Sequence, residues 1–306
     1  MKKDFLSVLD LTHDELDGTL ALAAKLKKER LASKTSVKPL EGKHLALLFD
    51  KPSLRTRVTF EVAIRELGGA PMLIPADVSL GSREPASDVA RNLERWVDAV
   101  VIRTFAQQTV EEFATAAPSL RIVNALTDEE HPCQALADLL TLQERFDTLQ
   151  GRTIAYVGDG NNVATSLAHA CAMQGMTVHV ASPAGYELPT RVREQVARVA
   201  AGGGSLKLFS NPREAVRGAS AIYTDVWTSM GQEDETTERL RAFKGFQVNE
   251  ALMRAAEPDA IFMHCLPAHR GEEVSASVVE SPASVVFDQA ENRLHAQKAL
   301  LALLFE

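Results

Sequence analysis

Short apolar runs alternate with amphipathic stretches along this chain, and the alternation predicts its elements. Thr12-His13-Asp14-Glu15 has the form of a capping box and opens a helix expected to reach about Leu31. His44 to Phe49 reads as a buried strand. Beyond it Phe60, Ala63, Ile64 and Leu67 keep helical spacing until Gly68-Gly69 stops the helix, with Ser53 placed to act as its N-cap. Met72-Leu73-Ile74 is a second strand, Val78 to Pro85 a polar loop, and Ala86 to Ala99 a helix. Val100 to Phe105 is a third strand, Thr109 to Ala116 a helix, and Ile122 to Ala125 a fourth strand. Pro132 suits the first position of a helix running to about Phe146. Gln150-Gly151 interrupts the pattern, and a second series begins. Its strands are expected near Ile154–Val157, Val178–Ala181, Leu206–Phe209, Ala221–Trp227 and Ala260–Cys265. Val285-Val286-Phe287 and a helix from Ala290 to Leu304 close the chain. Strands alternating with helices imply parallel sheets with right-handed crossovers. The expected class is α/β, as two open parallel-sheet α/β domains joined by interdomain helices. The first covers 1–147, with the terminal helix 288–306 packing back on it, and the second covers 148–287.

Composition narrows the function. The 306 residues suit about two domains, and 45% hydrophobic with 24% charged residues suits globular cores. A net charge of −8 argues against a nucleic-acid partner. The first residues lead into a polar helix rather than an apolar leader, and no apolar run approaches the ~20 residues of a membrane span. Cys133, Cys171 and Cys265 are far apart and odd in number, which speaks against a disulfide framework. A cytoplasmic enzyme is the expectation.

Several stretches carry candidate chemistry, each with a plainer alternative. Arg55 and Arg57 fall in the first turn of a helix, where a cation is disfavoured by roughly 0.3–1 kcal/mol. An anion would reconcile two guanidiniums, the hydroxyls of Ser53 and Thr56 and free backbone N–H groups, and a phosphate suits arginine's bidentate grip. The plainer reading is that both arginines face solvent or pair with Glu61 and Asp50. Arg103 ends an apolar strand, where a structural arginine is common. His131 precedes a helix whose end should favour neutral imidazole, a donor suited to a carbonyl oxygen gaining charge. The alternatives are an N-cap or a zinc ligand, and no C-x-x-C or ligand-spaced partner supports zinc. Gly158-Asp159-Gly160-Asn161-Asn162 follows a strand and opens a helix, like a dinucleotide fingerprint. Val163 stands at the third glycine position, and the next strand ends in Ser182 without an acidic residue for a ribose, so that reading fails. Asp225 ends a strand and can face an ammonium, whereas Glu233, Asp234 and Glu235 read as a solvated loop. Cys265 reads first as a buried structural cysteine, and Arg293 as a helix-surface arginine.

These motifs, in this order, resemble those of the aspartate/ornithine carbamoyltransferase family. Ser53-Leu54-Arg55-Thr56-Arg57 is similar to its carbamoyl-phosphate motif, with Leu54 where threonine is usual. His131-Pro132-Cys133-Gln134 is similar to its His-Pro-x-Gln. The Gly158 to Asn162 turn, Asp225 to Gly231 with Ser229-Met230, and His264-Cys265-Leu266-Pro267 resemble the ornithine-type members in particular. The resemblance implies a carbamoyl-phosphate site of Ser53, Leu54, Arg55, Thr56, Arg103, His131, Gln134, Cys265, Leu266 and Arg293. It implies an L-ornithine site of Asn162, Asp225, Ser229 and Met230, and catalytic roles for Arg103, His131, Asp225 and Cys265. Ser79 stands near the place of a usual glutamine contact. The reaction implied is carbamoyl phosphate plus L-ornithine giving L-citrulline and phosphate, in arginine metabolism, with no cofactor and no metal. A homotrimer or a multiple of trimers is implied too. Two rivals stand beside this reading: another amine as acceptor, such as putrescine or an acylated ornithine, and a catalytically silent relative.

Overall fold

The computed structural model describes residues 1–32, 38–75, 84–229 and 231–306. The expected loop around Ser79 and the Met230 position lie outside the described residues. The chain divides into two compact units, Met1–Leu140 with Glu291–Glu306, and Thr141–Ala290.

In the first unit the Thr12 hydroxyl accepts the Glu15 N–H and the Glu15 carboxylate accepts the Thr12 N–H, which starts helix α1 (His13–Leu31). There follow β1 (His44–Phe49), α2 (Arg55–Glu66), β2 (Ala70–Ile74), α3 (Ala86–Leu93), β3 (Ala99–Arg103), α4 (Gln107–Ala116), β4 (Arg121–Leu126) and α5 (Pro132–Arg145). The sheet order is β2-β1-β3-β4, every pair parallel. Phe5 extends it with a parallel bridge to Val123, its N–H 2.8 Å from the Ile122 carbonyl, so the outer edge of β4 is partly covered. Ala46, Leu48, Val100, Ile102 and Ile122 pack under Ala90, Val110 and Phe113 to form a core.

Two local expectations are corrected here. The helix after β1 has Leu54, not Ser53, as its N-cap, and Leu54 offers no side-chain cap. The Ser53 hydroxyl still accepts the Thr56 N–H at 3.2 Å. Helix α3 ends at Leu93 instead of reaching Ala99. The Trp96 and Val97 N–H groups both turn back onto the Leu93 carbonyl. Asp98 is then held at the start of β1 by the Lys43 ammonium at 3.0 Å and the His44 N–H at 2.9 Å, so Ala99 enters the sheet.

The second unit contains β5 (Thr153–Val157), α6 (Asn162–Met173), β6 (Thr177–Ala181), α7 (Thr190–Val199), β7 (Ser205–Phe209), α8 (Pro212–Ala215), β8 (Ala221–Thr224), α9 (Thr236–Ala242), α10 (Glu250–Met253), β9 (Ile261–His264) and α11 (Ala276–Val279). Helix α12 (Val286–Leu304) begins in this unit and ends in the first. Val286 and Phe287 are therefore its opening turn. The sheet order is β7-β6-β5-β8-β9, again entirely parallel. Strand β8 stops at Thr224, short of the expected Trp227, and β9 stops at His264. Asp225 and Cys265 thus lie just past the ends of neighbouring strands, where Thr224 pairs with His264. Val157, Ile222 and Phe262 share a core with Phe243, whose ring stacks on Trp227 at 5.5 Å.

In each sheet the strand order reverses once, between β1 and β3 and between β5 and β8. Crevices at the carboxyl ends of such reversal points are where open α/β sheets take ligands. Among the described residues no helix is long and apolar enough to cross a membrane.

The turn after β5 needs glycine for close approach. A Cβ on Gly160 would lie 2.5 Å from the carbonyl carbon of Glu187 and closer still to the Leu188 nitrogen. Gly160→Ala should therefore destabilise the protein by roughly 1–3 kcal/mol, the usual cost of overpacking. A urea-unfolding midpoint unchanged from wild type would contradict this contact.

Candidate active site

In the first unit, Phe49 at the end of β1 pairs with Arg103 at the end of β3, and the Asp50 N–H donates to the Arg103 carbonyl at 2.9 Å. Asp50 also accepts the Thr104 hydroxyl at 2.6 Å. The loop from Asp50 to Leu54 therefore leaves the sheet beside Arg103. Lys51 in that loop is buried, paired with Asp128 and 4.3 Å from the centre of the Phe105 ring. Thr56 is buried in the first turn of α2, Arg55 is half-buried and Arg57 is exposed. Glu61 pairs with Arg65, and among the described residues Arg55 makes no ion pair.

Arg293 is not the surface arginine that its helix position suggests. It is 3% exposed, and its Nη2 donates to the Thr56 hydroxyl at 2.5 Å. Arg103 is 6% exposed. Burial holds His131 well below the usual histidine range, and the guanidiniums of Arg293 and then Arg103 push it further down. The imidazole is thus neutral at physiological pH and keeps an N–H to donate. Cys133, two residues on, donates to the Asn124 carbonyl at 3.4 Å, and burial raises its thiol to about 12. It is a packing residue, not a nucleophile. Gln134 donates through Nε2 to buried Asp138 at 2.8 Å. Its Oε1 is buried and takes no partner among the described residues. That fixes the amide with its acceptor end available. The unit therefore combines three buried cations, Lys51, Arg103 and Arg293, a half-buried fourth, Arg55, hydroxyls, a neutral imidazole and an amide oxygen. The set is suited to a ligand with both phosphate and carbonyl-amide groups.

In the second unit, Asp225 is 6% exposed. Its Oδ1 accepts the Cys265 thiol at 3.0 Å and its Oδ2 accepts the Asn161 side-chain amide at 2.9 Å. Asn161 also caps α6, its Oδ1 taking the N–H groups of Val163 and Ala164 and the Tyr156 hydroxyl. Burial, then Asp225, keeps that phenol far above its ordinary range, so it stays a donor. Asn162 is the first residue of α6, beside Asn161. The Ser229 N–H donates to the Gln232 side-chain Oε1 at 3.1 Å, and the Ser229 carbonyl accepts the Gln232 N–H at 3.0 Å. Leu266 has φ 59°, a left-handed conformation, and precedes a cis proline. Its N–H donates to His264 Nδ1 at 2.9 Å, which places that ring's proton on Nε2, facing Glu273 at 3.2 Å. A carboxylate, a thiol and amide groups at one strand-end cluster suit a ligand carrying an ammonium.

Asp225, His264 and Cys265 offer donor atoms within 4.8 Å of one another, as do His269, Glu272 and Glu273. In the first set the thiol, carboxylate and imidazole already bond to one another or to Leu266 and Glu273. A metal there would have to displace those bonds.

Reading the sequence missed four residues. Asn161, the actual partner of Asp225, was overshadowed by Asn162, although an Asn one residue before an apolar helix is an N-cap signal. Asp138 lies four residues after Gln134 on one helix face, a legible spacing. Arg239 follows Glu235 by four residues, but it reaches Asp159 and Trp227, as Glu273 reaches His264, only through tertiary folding.

Residues 3–144 match the aspartate/ornithine carbamoyltransferase carbamoyl-P binding domain, and residues 150–304 match that family's Asp/Orn binding domain. A relative from Symbiobacterium thermophilum, named ornithine carbamoyltransferase, is 52% identical over 99% of this chain and 97% of its own. One of the same name from Geobacillus stearothermophilus is 53% identical over 98% and 96%. The solved ornithine carbamoyltransferase of Pyrococcus furiosus superposes with a TM-score of 0.94 at 50% identity, covering 98% of this chain and 96% of that one. That of Thermus thermophilus gives 0.89 at 46% identity, with full coverage of both.

The depressed His131 has a consequence for stability. Its folded-state proton affinity lies below that of the unfolded chain, near 6.5, so the unfolded state binds the extra proton as pH falls. Stability from this group is intact above about pH 6.5 and is lost below it. Between pH 7 and pH 5, wild type should lose on the order of 1–2 kcal/mol more than His131→Gln. Equal pH slopes for the two proteins in urea unfolding would refute the assignment.

Proposed function

The chain belongs to the aspartate/ornithine carbamoyltransferase family, and we propose that it transfers the carbamoyl group of carbamoyl phosphate to the δ-amine of L-ornithine, giving L-citrulline and phosphate. The observation that carries this reading is the pair of strand-end clusters, cationic after β1 and β3 and carboxylate-centred after β8 and β9.

Ser53, the Leu54 N–H, Arg55, Thr56, Arg103 and Arg293 hold the phosphate. Thr56, Arg103 and His131 polarise the carbamoyl carbonyl, and the Gln134 oxygen, with the Cys265-Leu266 backbone, takes the carbamoyl amide. Asn162, Asp225, Ser229 and Met230 orient ornithine. Its δ-amine must lose a proton before its lone pair can attack, and burial near Asp225 and Cys265 favours the neutral form. Attack forms the C–N bond and puts negative charge on the carbonyl oxygen, where the neutral His131 N–H and the arginines stabilise it. Collapse breaks the C–O bond to phosphate, already a good leaving group, so the chain's own side chains suffice for the chemistry proposed. An unblocked α-ammonium is the natural partner of Asp225, which favours free ornithine over an acylated acceptor. The proposed setting is arginine biosynthesis in the cytoplasm. The exposed apolar Leu54, at the N-cap of α2, and Val58, one turn on, support self-association, as a homotrimer or a multiple of it.

Offered carbamoyl phosphate with ornithine, N-acetylornithine, putrescine or aspartate in parallel, the enzyme should make product with ornithine. Arg55→Ala and His131→Gln should each lower kcat by about 10²–10³. Turnover with another acceptor alone would remove the role given to Asp225, and binding of carbamoyl phosphate without turnover would mark a silent relative. Light scattering should give three times the 33.3 kDa chain mass or a multiple of that, and a monomer would count against the assembly.

A further inference from the structure

One buried cation of the second unit has no part in the reaction as written. Arg239, on α9, is 6% exposed. Its Nη1 donates to Asp159 Oδ2 at 2.7 Å and to the Trp227 carbonyl at 3.0 Å, and its Nε donates to Glu235 Oε2 at 2.9 Å. The guanidinium carbon lies 5.0 Å from the centre of the Tyr186 ring. A guanidinium held out of water is tolerated only when its donors are engaged, and breaking one partner is strongly unfavourable.

Its partners come from the segments that carry the acceptor-site residues. Asp159 sits in the turn after β5, two residues before Asn161, which bonds Asp225 directly. Trp227 is midway between Asp225 and Ser229. Glu235 closes the stretch that follows Ser229. The Trp227–Thr228 segment has little else to anchor it through side-chain polarity. The Trp227 indole N–H and the Thr228 hydroxyl are buried and take no partner among the described residues. Lysine could supply the charge, but not a planar fork that meets a carboxylate and a carbonyl in fixed directions.

We propose that Arg239 is a positioning residue for the amino-acid acceptor, fixing the Gly158–Asn162 turn and the Asp225–Ser229 segment at the spacing that ornithine requires. This rests on the carbamoyl-transfer reading above. Asp159 supports the arrangement. Burial raises its carboxyl above the usual range and Arg239 opposes that rise, so loss of the arginine favours a protonated Asp159 and a slack turn.

The test uses the purified full-length enzyme as wild type, Arg239→Lys, Arg239→Gln, Asp159→Asn and the double variant Arg239→Gln/Asp159→Asn. Arg239→Gln should raise KM for ornithine about tenfold or more, since a charged hydrogen bond is lost, and leave KM for carbamoyl phosphate within about twofold. L-norvaline, which has the same backbone groups but no δ-amine, should lose affinity as an inhibitor by a similar factor. Arg239→Lys should recover part of the loss and serves as the probe if the glutamine variant does not accumulate. The double variant should be no worse than Arg239→Gln, because both act through one contact. The acid limb of kcat/KM for ornithine should move to higher pH in Arg239→Lys, as Asp159 protonates more readily. A lower unfolding midpoint with unchanged ornithine KM and norvaline affinity would reduce Arg239 to a structural ion pair and overturn the proposal. So would an equal rise in both KM values. Wild-type enzyme that makes no citrulline from ornithine would instead overturn the reaction itself, and the positioning role with it.

Discussion

A parallel strand pair cannot be closed by a tight hairpin, so each strand in both sheets returns through a crossover at the far end. That single constraint separates the two ends of every strand. The amino ends are occupied by returning chain, and the carboxyl ends open into loops whose length is free to vary. Where strand order reverses, two such loops leave in opposite directions and a crevice opens between them. The Ser53 loop and Arg103 share one reversal, and the Asp159 turn and Asp225 share the other. Neither cluster needs an insertion or a separate binding module.

Charge inside these clusters is managed differently in the two units. The first gathers positive charge, with Lys51, Arg103 and Arg293 buried and Arg55 half-buried. His131 stays neutral beside Arg293 and Arg103, and Arg293 donates to the Thr56 hydroxyl. Such an arrangement is expected where an incoming anion completes the electrostatics. The second unit is centred on carboxylates. Asp225 is shared between a thiol and an amide, and Asp159 is answered by Arg239. An amino acid brings an ammonium, and a buried carboxylate held by a thiol and an amide is suited to receive it.

Much of this was legible in the chain. The strand runs are short, apolar and evenly spaced, and the capping box at Thr12 and the proline opening α5 follow local rules that tertiary packing did not override. The site motifs were legible because each lies within a few consecutive residues at a strand end. The errors have local causes. Asp98 anchors to β1 and cuts α3 short, and nothing near Leu93 announces that. Arg293 reads as a surface residue because its partner Thr56 is 237 positions away. Asn161 goes unnoticed beside its identical neighbour Asn162, and the capping geometry of α6 is what brings it to Asp225. Arg239 was invisible because its roles depend on three segments meeting.

The first unit is not continuous in sequence, because Glu291–Glu306 complete what Met1–Leu140 begin. Arg293 closes on Thr56, and Lys298 closes on Glu66 at 2.7 Å. On the ribosome, the Ser53 loop, Arg103 and His131 all emerge well before α12 exists. At roughly 5–20 residues per second the wait is on the order of ten seconds. Through that interval the nascent unit exposes the surface that α12 will cover and lacks Arg293. A chain abandoned by the ribosome late in translation could thus hold most of both units and still lack the Arg293–Thr56 contact, so the first unit is completed only when α12 is made.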